Sequence, residues 1–278
     1  MPFETLIAVD DLIIADPSCT RIVDCRATLG DPDAGPRAFA AGHVPGAVHA
    51  HLERDLSGPI VARFTGRHPL PEPHVLAAWL GANGIGNATQ VVAYDADTGA
   101  FAARLWWLLR WLGHRAAAVL DGGFAAWRAA GHPVELAATT PARARFDVRA
   151  PLERTIEAAE IVRRGSELRL VDARARPRFR GDEEPIDRVA GHIPGATSLP
   201  FDGNLAPDRR FLDRAALARR FAPLVGAGAD VVCYCGSGVT ACHDVLALRH
   251  AGYSDGVLYA GSWSEWIQDP SRPIARGD

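Results

Sequence analysis

The sequence predicts an α/β protein made of two copies of one domain, each a parallel sheet with helices on both faces. Three observations carry this prediction. The motifs of the first half recur in the second in the same order, strand-like runs alternate with helical stretches inside each half, and a segment without apolar period separates the halves. The recurrences are specific. Ile22-Val23-Asp24-Cys25-Arg26-Ala27 returns as Leu170-Val171-Asp172-Ala173-Arg174-Ala175, and Ala41-Gly42-His43-Val44-Pro45-Gly46-Ala47 as Ala190-Gly191-His192-Ile193-Pro194-Gly195-Ala196. Val91-Val92-Ala93-Tyr94-Asp95 returns as Val231-Val232-Cys233-Tyr234-Cys235, and Gly122-Gly123-Phe124-Ala125-Ala126-Trp127, more loosely, as Gly261-Ser262-Trp263-Ser264-Glu265-Trp266. A period this long marks a duplicated domain, not a solenoid of small units.

Each half then reads in the same order. A strand ends in Asp-x-Arg, and a Gly-His-x-Pro-Gly-Ala turn and then a strand or extended piece follow. A helix comes next, over residues 73–81 in the first half and 213–221 in the second. The Val-Val strand, a long helix, a short strand (residues 118–120; 257–259) and a Trp-bearing helix complete the unit. Strands alternating with helices argue for a parallel sheet covered on both faces. The long helix of the first half carries Leu105, Leu108, Leu109 and Leu112 with Trp106, Trp107 and Trp111. This stripe reads as packing, not as a cofactor box. Residues 135–154, rich in Ala, Thr, Pro and Arg, show no apolar period. They place a linker at 136–154 between an N-terminal domain, 1–135, and a C-terminal domain, 155–278.

Composition narrows the class. The chain has 278 residues, 48% hydrophobic and 23% charged, as in an ordinary soluble globular protein. A net charge of -3 speaks against nucleic acid as a partner. No apolar run approaches the length of a membrane span, and residues 1–10 show no basic cluster of a signal peptide. The five cysteines, Cys19, Cys25, Cys233, Cys235 and Cys242, are too few and too uneven for a disulfide framework. Reduced thiols and a cytoplasmic location are expected.

The chemistry points to Cys235. It closes an apolar strand and opens the turn Gly236-Ser237-Gly238-Val239-Thr240, after which a helical pattern starts. Glycines let the backbone turn its N–H groups inward. A sulfur at that junction lies among amide donors at the positive end of a helix dipole. Such surroundings favour thiolate over thiol and make a nucleophile. A buried core cysteine is the alternative for any isolated cysteine, but the Gly-x-Gly turn onto a helix favours the nucleophile. The first half has Asp95 at the matching place, and an aspartate cannot do thiol chemistry. The second domain is therefore expected to be catalytic and the first to be a scaffold shaping a cleft between them.

Asp-x-Arg, Gly-His-Ile-Pro-Gly-Ala, Cys235-Gly236-Ser237-Gly238-Val239-Thr240-Ala241 and Gly261-Ser262-Trp263-Ser264-Glu265-Trp266 together resemble the tandem-domain rhodanese family of sulfurtransferases. The motifs stand in family order over nearly the whole chain. The resemblance implies two rhodanese-like domains, each a parallel five-stranded sheet flanked by helices. It implies an inactive N-terminal copy and a persulfide-forming cysteine in the C-terminal copy, without cofactor or metal. It also implies a small-molecule sulfur donor and an acceptor that is cyanide, a small thiol or a thioredoxin-like protein.

The loop discriminates between donors. Thiosulfate-using members resemble Cys-Arg-Lys-Gly-Val-Thr, with two cations for a dianion. Here Gly236 and Ser237 are neutral, as in the loop of 3-mercaptopyruvate-using members. A dianion is then expected to meet only distant arginines. The mercaptopyruvate carboxylate needs one or two arginines, and the resemblance assigns them to the connection between Asp-x-Arg and Gly-His-x-Pro-Gly. Arg178 and Arg188 are the candidates, each with a solvated surface role as its alternative. His43 and His192 read as anchors of their turns. His43 is also a candidate support for Ser237, with Asp33 as its orienting partner. Asp24 and Asp172 read as loop braces, and Arg67-His68, ahead of Pro69-Leu70-Pro71, as a lining of the cleft. Cys233, Cys242 and His243 do not make a closed four-ligand set, so no metal is expected.

Two other classes compete with a sulfurtransferase. A cysteine phosphatase on this scaffold needs an arginine six or seven residues after the cysteine, where Ala241 and Cys242 stand. A non-catalytic binding module needs no cysteine at position 235. Within the sulfurtransferases, thiosulfate remains the alternative donor.

Overall fold

The Val-Val runs lie at the centres of two separate five-stranded sheets, every neighbouring pair of strands parallel. The computed structural model describes residues 2–226 and 228–278. In chain order the first sheet and its helices are β1 (Leu6–Ile7), α1 (Val9–Ile13), β2 (Thr20–Asp24), α2 (Ala34–Ala40), β3 (Val48–His49), α3 (Pro73–Ala82), β4 (Gln90–Tyr94), α4 (Ala102–Trp111), β5 (Ala117–Leu120) and α5 (Gly123–Ala129). The second set is β6 (Arg154–Thr155), α6 (Ala158–Arg164), β7 (Arg169–Asp172), α7 (Arg176–Arg180), β8 (Thr197–Ser198), α8 (Arg214–Phe221), β9 (Val231–Tyr234), α9 (Ala241–Ala251), β10 (Gly256–Leu258) and α10 (Ser262–Trp266). The strand orders are β1-β5-β4-β2-β3 and β6-β10-β9-β7-β8, the same topology twice. Register matches as well, since Val23 faces Ala93 in one sheet and Val171 faces Cys233 in the other.

The units are not cut at a single point. The first comprises Met1–Gly58, Pro71–Glu153 and Pro207–Phe211, and the second comprises Pro59–Leu70, Arg154–Ala206 and Leu212–Asp278. The stretch placed as a linker at 136–154 holds no helix or strand as far as residue 153, and β6 begins at Arg154. Its backbone is tied to the first unit, where Ala144 N–H donates to the Gly81 carbonyl (2.8 Å) and Asp147 N–H to Asn87 Oδ1 (2.8 Å).

The repeated motifs hold each unit together by one device. In Asp-x-Arg the carboxylate caps the turn after the strand: Asp24 Oδ1 accepts from Arg26 N–H (2.9 Å), and Asp172 Oδ1 from Arg174 N–H (3.0 Å). The guanidinium binds the same carboxylate and also donates to the Gly of the Gly-His turn, Arg26 to Gly42 O (2.7 Å) and Arg174 to Gly191 O (2.6 Å). The tyrosine of the central strand closes the circuit. Tyr94 Oη accepts from Val44 N–H (3.2 Å), and Tyr234 Oη from Ile193 N–H (3.1 Å). A buried arginine without such partners would be costly, so these bonds decide the geometry of both turns.

The core follows the apolar pattern. β5, β9 and β10 are buried along their length and β4 from Val91 onward, as strands covered on both faces must be. Trp106 and Trp107 are fully buried on α4, and Trp106 Nε1 donates to the Glu4 carbonyl (2.8 Å). The aromatic stripe is therefore core. A polar network lies in the second core. Arg220 Nε donates to Asn204 Oδ1 (2.9 Å), Asn204 Nδ2 donates to Asp244 Oδ1 (2.6 Å), and the buried Asp244 Oδ2 has no hydrogen-bond partner. Burial pushes the Asp244 carboxyl up to about 7, against the pull of Asn204 and Arg220.

That carboxyl binds its proton more tightly in the folded chain than in the unfolded one. Folding stability is thus expected to fall as pH rises through about 7. Asp244→Asn keeps an acceptor for Asn204 and never ionises. Its Tm advantage over the wild-type chain is expected to grow from about pH 4 to about pH 7 and to level off above that. Thermal melts across that range check it, and a gap that narrows with rising pH would contradict the role of burial at Asp244.

Candidate active site

Cys235 follows β9 directly, and residues 236–240 lead into α9. The loop bends at Gly238, where φ is +77° and a Cβ would stand 2.3 Å from the Ala260 carbonyl oxygen. Only glycine fits there. The bend brings Gly238 N–H onto Cys235 Sγ at 3.1 Å. Cys235 is 2% exposed.

The loop is fastened by residues 261–266. Trp263 N–H donates to the Cys235 carbonyl (3.0 Å) and Ser264 N–H to the Gly236 carbonyl (2.9 Å). Ser262 Oγ accepts from Cys235 N–H (3.1 Å) and donates to the Tyr259 carbonyl (2.9 Å). Ser262 adopts φ of 54°, an uncommon region for a non-glycine residue, held by these two bonds. The first unit repeats the fastening, with Phe124 N–H on Asp95 O and Ala125 N–H on Ala96 O, both 2.9 Å. There the residue matching Cys235 supplies its own anion. The Asp95 carboxylate accepts from Gly99, Phe101 and Ala102 N–H at 2.8, 2.8 and 3.2 Å. Burial pushes its carboxyl up while those amides pull it down.

The segment Pro59–Leu70 belongs to the second unit and completes the site. A Cβ on Gly66 would lie 2.4 Å from the Gly261 carbonyl oxygen, so this backbone runs against the fastening stretch. Arg67 N–H donates to Ser264 Oγ (3.1 Å), and His68 Nδ1 lies 2.7 Å from Ser237 Oγ. The Arg67 and Arg178 guanidiniums approach Gly236. The position of a Gly236 Cβ is 2.8 Å from Arg67 Nη2 and 3.5 Å from both terminal nitrogens of Arg178. Carboxylates balance them. Arg67 Nη1 pairs with Asp187 Oδ1, and Arg178 Nη2 donates to Asp187 Oδ2 (3.1 Å) and Glu184 Oε1 (2.7 Å). Arg174 pairs with Asp172 (2.6 Å) and Glu184 (3.3 Å). Burial pushes the Asp187 carboxyl up, opposed by Arg67 and Arg178. Burial also pushes Glu184 up, but Arg178 and the backbone N–H groups outweigh it and hold that carboxyl low.

Cys235, the loop of Gly236, Ser237, Gly238, Val239 and Thr240, and Arg178 are thus brought together. Four readings are corrected. Arg188 is exposed and donates to the Ile267 carbonyl (2.5 Å), the end of its chain being spent on α10. His43 is fully buried, stacks on Phe39 with ring centroids 3.8 Å apart, and turns Nδ1 to the Phe39 carbonyl (2.9 Å). His192 does the same with Phe179 (3.7 Å; 2.8 Å), so both histidines brace turns and the one on Ser237 is His68. Asp33 is exposed ahead of α2, and the group that orients His43 is the Phe39 carbonyl. The arginines near the loop are adjacent to Gly236, not distant; paired carboxylates, not separation, temper their charge. Cys242 Sγ donates to the Gly238 carbonyl (3.2 Å), which makes it a loop brace. Glu184, Asp187, Ser262 and Ser264 carry no isolated sequence signal.

The chemistry of this arrangement is a sulfur nucleophile with an amide donor on it, a hydroxyl–imidazole pair beside it and two guanidiniums across Gly236. Comparison with known proteins gives the family. A model of the Rhodanese-like domain matches residues 8–130 and 150–269. The chain is 51% identical over 262 residues to the "Probable 3-mercaptopyruvate sulfurtransferase" of Pseudomonas aeruginosa, covering 92% of each. It is 38% identical over 240 residues to the thiosulfate sulfurtransferase of Gallus gallus, covering 82% of this chain and 80% of that one. The 3-mercaptopyruvate sulfurtransferase structure from Leishmania major superposes with a TM-score of 0.80 at 33% identity, covering 96% of this chain and 75% of that one. With the motif match in both halves and a relative aligned nearly end to end, this chain belongs to the rhodanese family.

Proposed function

We propose that this protein is a sulfurtransferase that takes sulfur from 3-mercaptopyruvate and passes it, through a persulfide on Cys235, to a thiol or cyanide. The observation that carries the reading is the site around Gly236: a neutral loop, a Ser237–His68 pair and guanidiniums balanced by carboxylates. A monoanion with a keto oxygen suits this better than a dianion.

The Cys235 thiolate attacks the donor sulfur. The S–S bond forms as the C–S bond breaks, and the electron pair passes to the donor carbon as the enolate of pyruvate, which takes up a proton. The Gly238 N–H, 3.1 Å from Sγ, stabilises the sulfur anion before transfer and the persulfide after it. The Ser237 hydroxyl, held by His68, hydrogen-bonds the keto oxygen as enolate charge develops. Arg178 holds the carboxylate. A thiolate or cyanide then attacks the outer sulfur, and the Cys235 thiolate leaves. The first unit takes no part in the chemistry, because Asp95 fills its own cradle of amides. The similarity to a thiosulfate sulfurtransferase keeps thiosulfate as the second donor.

Cys235→Ser is expected to abolish transfer from either donor and to keep the wild-type circular dichroism spectrum. Mass spectrometry after donor treatment is expected to find one added sulfur at Cys235 and none at Cys233 or Cys242. Transfer by the serine variant, or an adduct chiefly on Cys242, would overturn the assignment.

Donor choice is checked separately. Under one cyanide concentration kcat/KM is expected to be higher for 3-mercaptopyruvate than for thiosulfate by about tenfold or more, the scale of one charge-assisted hydrogen bond. A preference for thiosulfate would reject the donor and leave the Cys235 chemistry standing.

A further inference from the structure

We infer that Arg67, brought to the site by the segment Pro59–Leu70, is a specificity-determining residue: the second guanidinium of the donor carboxylate clamp, with Asp187 setting its spacing from Arg178. This deepens the mercaptopyruvate reading and rests on it. Three observations carry the inference. The first is aim. Arg67 Nη2 and Arg178 Nη1 both approach the empty side of Gly236, at 2.8 and 3.5 Å from where its Cβ would be. The loop's missing side chain is therefore the space the two forks share.

The second is spare capacity. Arg67 spends Nη1 on Asp187, while Arg178 spends Nε and Nη2 on Glu184 and Asp187. Arg67 Nη2 and Arg178 Nη1 have no hydrogen-bond partner among the described residues, and their side chains keep 29% and 17% of their exposure. Each guanidinium thus presents an uncommitted donor toward Gly236. A carboxylate takes two such donors, and Asp187 already shows the match by bridging the same two arginines through its two oxygens.

The third is placement. Gly66 is pinned against Gly261, Arg67 N–H is fixed on Ser264 Oγ, and Asp187 is 4% exposed. Ser264 also donates to the Gly236 carbonyl. Arg67 and the loop are therefore held by one residue, and the clamp is preorganised before a donor arrives. Arg188, spent on the Ile267 carbonyl, offers no such geometry.

The test compares Arg67→Met, Arg67→Lys and Arg188→Met with the wild-type chain. Two donors are used, 3-mercaptopyruvate and mercaptoacetone, which keeps the α-keto thiol and lacks the carboxylate. Arg67→Met is expected to lower the ratio of kcat/KM values, mercaptopyruvate over mercaptoacetone, by about tenfold or more, mostly through KM for mercaptopyruvate. Arg67→Lys keeps the charge without the fork and is expected to recover part of the ratio. Arg188→Met is expected to leave it in place. A second readout needs no turnover: pyruvate is expected to protect Cys235 of the wild-type chain from iodoacetamide, and the half-protecting concentration to rise about tenfold or more in Arg67→Met only. Equal losses with both donors, or a shift at Arg188 and none at Arg67, overturns the inference. Failure of the wild-type chain to use mercaptopyruvate rejects the donor instead, and the pyruvate protection still decides whether Arg67 holds a carboxylate.

Discussion

The structure depends on the backbone seam that joins the residue after each central strand to the turn before each last helix. Trp263 and Ser264 donate to Cys235 and Gly236 in the second unit, and Phe124 and Ala125 donate to Asp95 and Ala96 in the first. A loop of glycines has many conformations to lose, and two backbone bonds at its root remove most of them. The seam also explains the unusual residue at its centre. Position 123 is a glycine at φ 56°, and its counterpart Ser262 holds nearly the same angle, φ 54°. Serine tolerates it because its hydroxyl takes up Cys235 N–H and the Tyr259 carbonyl. The second unit thus accepts local strain in exchange for a side chain that fixes the amide of Cys235.

The two copies show how one scaffold holds a carboxylate in one unit and a thiol in the other. Both offer backbone N–H groups to a group at the end of the central strand. In the first unit that group is the Asp95 carboxylate, bound to three amides, and the anion site is closed by the chain itself. In the second unit it is a thiol, with Gly238 N–H on the sulfur. A carboxylate is a weak nucleophile toward sulfur, and this one stays bound to its amides. A thiolate is consumed and regenerated.

The fold was legible because its signals are local. Strands read as apolar β-branched runs, and the duplicated motifs fixed their order. The two-residue edge strands β1 and β6 were not legible, since two residues carry no period and pairing alone defines them, whereas β3 and β8 fall where a strand or extended piece was expected after each Pro-Gly-Ala turn. In the site, Cys235 and its loop were visible because strand, turn and helix follow one another in sequence. His68 was visible only as a residue near the site, because its contact with Ser237 spans 169 positions and depends on where a loop packs. His43 drew the role instead, yet its repetition as His192 argued for a brace common to both copies. Arg178 and Arg188 could not be ranked by composition. The end of α7 decides, since it turns Arg178 toward Glu184 and Asp187 while Arg188 reaches Ile267.

The neutrality of Gly236 follows from what surrounds it. An arginine there would add a third guanidinium to two already within 3.5 Å of its Cβ position. Like charges at such separations repel strongly when partly shielded from water. A loop carrying its own cations and a segment carrying Arg67 are thus alternative ways to charge one small space. This chain has taken the second way and offset it with Asp187 and Glu184. The same pairing limits how much anion the site can hold. A single carboxylate can use the uncommitted nitrogens of Arg67 and Arg178 without displacing Asp187. A compact dianion at the sulfur needs more cationic contact than those two nitrogens supply. On the proposed reading, donor choice in this chain rests on the ion-pair set around Gly236, and the loop sequence reports it only indirectly.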